Sequence, residues 1–418
     1  MATRFRAPLW LTAMAALFMA TIANADDAAI EQQARALHDR ILVIDAHADI
    51  EVPGKPNRFA GPDGLSQVHP SKLKAGGISA IVMAAGIGFG PRTAEADAAA
   101  REIVNEEILA VRAMARENPD LLTIATNTAD LRSSKAAGKI ALMLGFQNAR
   151  ALERDIDALD DLYNAGVRVF ALNHLGHNDY SDSSRPNFNG DTKAYEPEEE
   201  HGGVSDLGKA AIARINALGG LVDVSQMSKN ATLQTVALSK APVIASHSNV
   251  RVLSNVTRNL SDEEIDAIGA KGGVVHISPF SAYLVDLSDP DLLAKIKAVR
   301  LEAGLPETYS YPYELYWELE AEARDAFLTK MRAVVGRSSV ARMIDHIDYV
   351  KGRIGIDHIG VGSDFNHGGG INGFADASEA FSLTLGLLKR GYTETDIEKI
   401  WGGNFVRVFD AAQRSRTQ

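Results

Sequence analysis

The chain has 418 residues, 46% hydrophobic and 23% charged, a balance that supports a large core and excludes a disordered protein. Its formal net charge of −11 argues against a general nucleic-acid binder, whose phosphate contacts need clustered Lys and Arg. With no cysteine, disulfides, thiolate metal ligands, a Cys nucleophile and a lipoprotein anchor are all excluded.

Arg4 and Arg6 precede the apolar run Ala7–Ile22, and Ala23-Asn24-Ala25 has the small-x-small pattern of a cleavage site. Residues 1–25 therefore read as a signal peptide and 26–418 as one mature domain, which predicts a secreted, periplasmic protein. No later segment is long and apolar enough to span a bilayer.

After helical Ala28–Arg40, the stretch Ile41–Ile50 (ILVIDAHADI) reads as a buried strand. It ends in His47 and Asp49, which at i and i+2 of extended chain face one way and can meet on one cation. The pattern of apolar strand and following helix then recurs. Strands are predicted at Gly77–Ala84, Lys139–Phe146, Val167–Leu172, Gly220–Val224, Pro242–Ser246, Gly272–Ile277 and Ile359–Ser363. Between them lie helical stretches such as Thr93–Glu117, Ala151–Asn164, Ser205–Leu218 with Ser205 as N-cap, and Ser261–Lys271 with a Ser261/Glu264 capping box. A helical insertion over Leu292–Val335 follows the seventh strand, and Ala377–Lys389 and Thr395–Trp401 form a helical tail. Gly54–Pro70 and His177–Gly203 read as long loops. Eight strands alternating with helices predict an α/β fold, a (β/α)8 barrel of the TIM type, over a doubly wound sheet that would need a Gly-rich phosphate turn after its first strand.

Barrel enzymes carry their chemistry at the C-terminal ends of the strands. There the chain offers His47 and Asp49, Gln147, His174 with His177 just beyond, Gln226, His247 and Asp364. His276 lies inside the seventh strand and reads as a hydrogen-bonded core histidine, while His38, His201, His346 and His358 read as surface or structural. The motifs HADI (47–50), LNH ending at His174, DVSQ (223–226), SHS (246–248), TRN around Arg258, GGVVHI (272–277), GVGSDF (360–365) and GGN (402–404) together resemble the membrane (renal) dipeptidases, peptidase family M19 of the amidohydrolase superfamily.

That resemblance covers the mature chain and implies a zinc hydrolase with two carboxylate-bridged metals, acting on dipeptides with a free carboxylate. Carried over by position, His47 and Asp49 bind the first zinc and His247 the second. Asp364 handles the proton of the reacting water, and His174 contacts the substrate near the developing oxyanion. Arg258 pairs with the substrate carboxylate, and Asn366 joins the substrate-binding set. Two positions depart from the family: the metal-ligand places at the ends of strands three and five hold Gln147 and Gln226, neutral amides where a carboxylate and an imidazole are expected. The chain is thus read as a metallo-dipeptidase with one ion on His47, Asp49, His247 and Asp364, with two ions completed by His177 or water, or with a carboxylate-binding role alone. Another amide or lactone substrate would use the same residues, and a monomer or homodimer would suit the same surface.

Overall fold

The computed structural model describes residues 27–55, 59–307 and 310–417; the predicted signal peptide lies outside them. From the N-terminal helix, residues 27–40, the chain enters β1 (Ile44–Asp49), followed by β2 (Ala80–Gly86), β3 (Leu122–Ile124), β4 (Ile140–Gln147) and β5 (Val167–Ala171). A short antiparallel hairpin of β6 (Phe188–Asn189) and β7 (Ala194–Tyr195) sits in the long loop after β5. Then come β8 (Leu221–Asp223), β9 (Ile244–Ala245), β10 (Val274–Ile277) and β11 (Ile359–Val361).

Eight parallel strands run in the order β1-β2-β4-β5-β8-β9-β10-β11. The ring closes through a parallel bridge between Ala48 and Phe365, with Asp49 N–H on Phe365 O at 2.9 Å and Asp364 N–H on His47 O at 2.9 Å. This is the anticipated eight-stranded barrel. Strand β3 was not anticipated: it pairs with the first residues of β4, beside the stretch Leu144–Gln147 that pairs with β5. Three residues following a Pro119-Asp120 turn carry too short an apolar pattern to announce a strand.

The strands are buried on both faces, which is why they read as apolar runs. Alternate side chains fill the lumen, among them Ile44, Ala80, Met143, Val169, Leu221 and Val274. The end of this core is closed by Phe405 and Phe409 of a final helix, Asn404–Arg414, which the sequence reading stopped short of. A separate apolar cluster, built on Tyr283, Ile296, Tyr311, Phe327 and Met331 with Phe188, holds the insertion after β10. The expected caps form: Ser205 Oγ accepts from Gly208 N–H at 3.1 Å, and Glu264 Oε2 accepts from Ser261 N–H at 2.8 Å. Glycine in GVGSDF is a packing requirement, since a Cβ on Gly362 would stand 1.8 Å from Ser246 O. Among the described residues no helix is long and apolar enough to cross a membrane.

Candidate metal centre

At the mouth, β1 carries a one-residue slip in register between Asp45 and Ala48. Ala46 belongs to the lumen cluster and Ala48 to the outer layer, so the alternation breaks here and turns His47 inward. The His47 and His247 rings stack at 3.8 Å between centroids with a 22° tilt. Ligand atoms of His47, His247 and Asp364 lie within 4.8 Å of one another, and among the described residues this is the one trio close enough to share an ion. His47 Nε2 and Asp364 Oδ2 are buried without a hydrogen-bond partner. Asp364, like Gln226 and Asn366, takes a positive φ (+56°, +70° and +62°), a strained backbone that clusters at sites where side-chain aim matters.

Hydrogen bonds beside the trio fix the tautomer of His247. Ser246 Oγ must donate to Asp223 Oδ2 at 2.5 Å, because a carboxylate only accepts. It therefore accepts from His247 Nδ1 at 2.7 Å, which leaves Nε2 of His247 as a lone pair. Burial reinforces this by holding His247 well below the usual imidazole range. The Nε2 lone pair faces Gln226 Nε2 at 3.3 Å, and the other end of that amide, Oε1, accepts from Arg185 Nη2 at 2.5 Å. Burial also works against the charge on His47, but Asp49, Asp364 and Asp223 outweigh it and raise the group.

The description "Membrane dipeptidase (Peptidase family M19)" fits a family model that matches residues 31–418. The chain belongs to peptidase family M19. Its barrel superposes on the probable dipeptidase PvdM from Pseudomonas aeruginosa with a TM-score of 0.81 at 33% identity, covering 93% of this chain and 99% of that one. A metallo peptidase from Rhodobacter sphaeroides liganded with a phosphinate mimic of the dipeptide L-Ala-D-Ala shares the fold, with a TM-score of 0.66 at 20% identity over 89% of this chain and 99% of that one. Dipeptidase aclJ of Aspergillus oryzae is 28% identical over 306 residues, and dipeptidase ataJ of Aspergillus terreus is 29% identical over 332. The aligned segments take in 72% and 75% of this chain but 59% and 68% of those relatives.

In this M19 barrel the residues suit a single divalent ion: two imidazole nitrogens and a carboxylate, two of the three atoms orphaned in a buried site. Asp49 stands outside the trio. Its Oδ1 is 3.4 Å from His47 Nε2, while Oδ2 binds His367 Nδ1 at 2.7 Å. Although burial opposes ionisation, the His367 charge holds Asp49 well below the ordinary carboxylate range. Gln226 does not present an oxygen to the trio, because Arg185 holds that oxygen and the NH2 group faces His247. Gln147, at the end of β4, is buried with its Nε2 unpartnered.

His177 is withdrawn from any metal role, since Nδ1 accepts from Ser183 N–H at 3.0 Å and Nε2 donates to Pro197 O at 2.8 Å. Asn366, expected in the substrate-binding set, is tied to neighbouring loops. Its amide joins Asp49 O, Gln67 N–H and Ser66 Oγ, pinning the loop after β1 to the loop after β11. His174 lies buried at the same mouth. Nδ1 donates to Ile87 O at 3.1 Å, and burial, with His367 and Arg185 nearby, keeps the ring neutral. Nε2 then offers a lone pair, whereas stabilising an oxyanion needs a donor.

His276 is the core histidine expected: Nδ1 donates to Ala245 O at 3.0 Å, and burial pushes its pKa down to about 4. His38 and His346 are buried structural residues, and His201 and His358 bond the carbonyls of Asn178 and Gly273. Two further side chains stand at the mouth, Arg185 and His367. Both sit on loops after strands, where only their proximity to His174 and to the Asp364 motif hinted at the site. A surface cavity of about 640 Å³, lined by Ser183, Glu198, Arg251 and Glu314, lies beside this centre and includes none of the trio.

Proposed function

We propose that this M19 chain is an exported, zinc-dependent dipeptidase that hydrolyses the peptide bond of small peptides with a free carboxylate. The observation that carries the reading is the buried trio of His47, His247 and Asp364 in the same mouth as Arg258, whose Nε, Nη1 and Nη2 all lack a hydrogen-bond partner. A resident ion would be held by His47, His247 and Asp364, and when bound it supplies Lewis acidity toward the reacting water and the scissile carbonyl.

The protein's own groups do the rest. Arg258 lies with its guanidinium over the Tyr283 ring at 4.2 Å, so its planar fork is held for a carboxylate. Asp364, through the carboxylate oxygen that does not meet the ion, takes up the proton released by the attacking water and returns it to the leaving amine. Neutral His174 accepts an N–H of the substrate through Nε2, which orients the peptide against the trio. Asp223 and Ser246 keep His247 in the tautomer that can ligate.

Elemental analysis of the purified protein, paired with hydrolysis of a dipeptide panel before and after chelation, tests this. The expected result is about one ion per chain and turnover that a chelator abolishes and zinc restores. A metal-free protein, or dipeptide turnover indifferent to chelation, would sink the reading. Export is tested by fractionation and mass spectrometry, with a mature N-terminus near Asp26 expected in the periplasm.

A further inference from the structure

Arg185 and Arg258 come from different loops and end in the same buried mouth, 1% and 2% exposed. Arg258 lies over the Tyr283 ring; Arg185 lies over the Tyr311 ring at 5.3 Å, and the two rings meet edge to face at 5.9 Å. Among the described residues neither guanidinium is in an ion pair. Arg258 has no hydrogen-bond partner on any nitrogen, while Arg185 meets neutral groups, the Gln226 amide oxygen on Nη2 and the Tyr283 hydroxyl, and has nothing on Nε.

The carboxylates nearby are already spent. Asp223 accepts from Ser225 N–H, Ser246 N–H and Ser246 Oγ. Glu314 accepts from Tyr195 Oη, Ser310 N–H and Ser310 Oγ. Asp364 belongs to the metal trio. Burial lowers the Arg258 pKa, and the like charge of Arg185 lowers it further. Burial opposes the charge on Arg185, but the Tyr283, Tyr311, Glu314 and Asp364 groups outweigh it and raise its pKa, so that cation stays charged. Two neighbouring buried guanidiniums with no ion pair keep unused donors, and a ligand that brings two negative groups fills them. One carboxylate satisfies one fork, so the second guanidinium calls for a second acid on the same ligand.

We propose that Arg185 and Arg258 form a two-guanidinium subsite, and that the preferred dipeptides carry an acidic C-terminal residue whose side-chain carboxylate reaches Arg185. This rests on the dipeptidase reading above and names its substrate class. A purely positioning role for Arg185, through Gln226, would affect every dipeptide alike. A subsite role shifts the ratio between acidic and neutral ones.

The test compares alanyl-glutamate with its isostere alanyl-glutamine, in both configurations of the second residue, on the zinc-loaded protein. Wild type is expected to favour the glutamate peptide by about tenfold or more in kcat/KM. R185Q should bring the ratio near one, and R185K should keep part of it. Equal rates for the two peptides in wild type, or an R185Q that slows both in proportion, would overturn the subsite. A second readout needs no turnover: glutarate should raise Tm more than butyrate in wild type and no more than butyrate in R185Q. If no dipeptide is cleaved but glutarate still wins through Arg185, the dipeptidase reading falls and the subsite stands. Equal stabilisation by the two acids overturns the subsite whatever the turnover.

Discussion

The side-chain amide nitrogen of Gln226 lies 3.3 Å from Nε2 of His247 and donates to it. Arg185 fixes that orientation by holding the carbonyl end. In the proposed site the lone pair that Gln226 occupies is the one the ion would need, so amide and ion would compete for a single nitrogen.

Removing the competitor should therefore help the ion. Gln226→Ala is expected to bind zinc at least as tightly as wild type, with a gain of about 1 kcal/mol, roughly fivefold, from the hydrogen bond no longer broken. Calorimetric titration against a competing chelator measures this. A loss of tenfold or more would mean that Gln226 is a ligand after all.

In the proposed site Ser246 would act on the ion through His247. Ser246→Ala frees Nδ1 and lets the ring turn or change tautomer, which should weaken zinc binding by about 10- to 100-fold. Nitrogen-15 NMR of the histidines would report the tautomer directly. Unchanged affinity with an unchanged His247 tautomer would dispose of the relay.

Arg258 should show opposite effects on binding and on stability. Arg258→Met is expected to cost about 1.5–3 kcal/mol of transition-state binding, about 10- to 150-fold in kcat/KM, mostly through KM. The same change replaces an unpaired buried cation with an apolar chain, so the metal-free variant should melt at or above the wild-type Tm. A variant that loses stability and keeps its KM would assign Arg258 to the core.

Acid should unfold the protein through buried neutral histidines. Burial pushes His346 down to about 3 and His276 to about 4, while in the unfolded chain both return to about 6.5. The unfolded state then binds more protons between these values, so stability is full above about pH 6.5 and is lost as pH falls toward 3. The slope is about 1.4 kcal/mol per pH unit for each such residue. His346 Nδ1 accepts from Val250 N–H at 3.1 Å, so His346→Gln can keep an acceptor there and should flatten the fall of Tm between pH 6 and 4. An unchanged profile would mean that other groups carry the acid lability.

Residues 47, 49, 147, 174, 226, 247 and 364 were legible in the sequence as strand ends because strand burial and strand termination are local properties, written in an apolar run and the polar residue that stops it. The same local pattern gave the barrel, since eight such runs alternating with helices admit few topologies. It could not give the aim of each group. Asp49 looked like a partner of His47 through i, i+2 spacing, yet it is claimed by His367, which lies 318 positions away. The hydrogen bonds of His177 to Pro197, of Asn366 to Ser66 and of His174 to Ile87 are likewise made to partners that an apolar run and its stopping residue do not name. Arg185 joins the mouth because the loop after β5 folds back over it. Composition and spacing decide which groups reach the mouth of such a barrel; only tertiary packing decides which hydrogen bonds each makes there, and so its charge, tautomer and free lone pair.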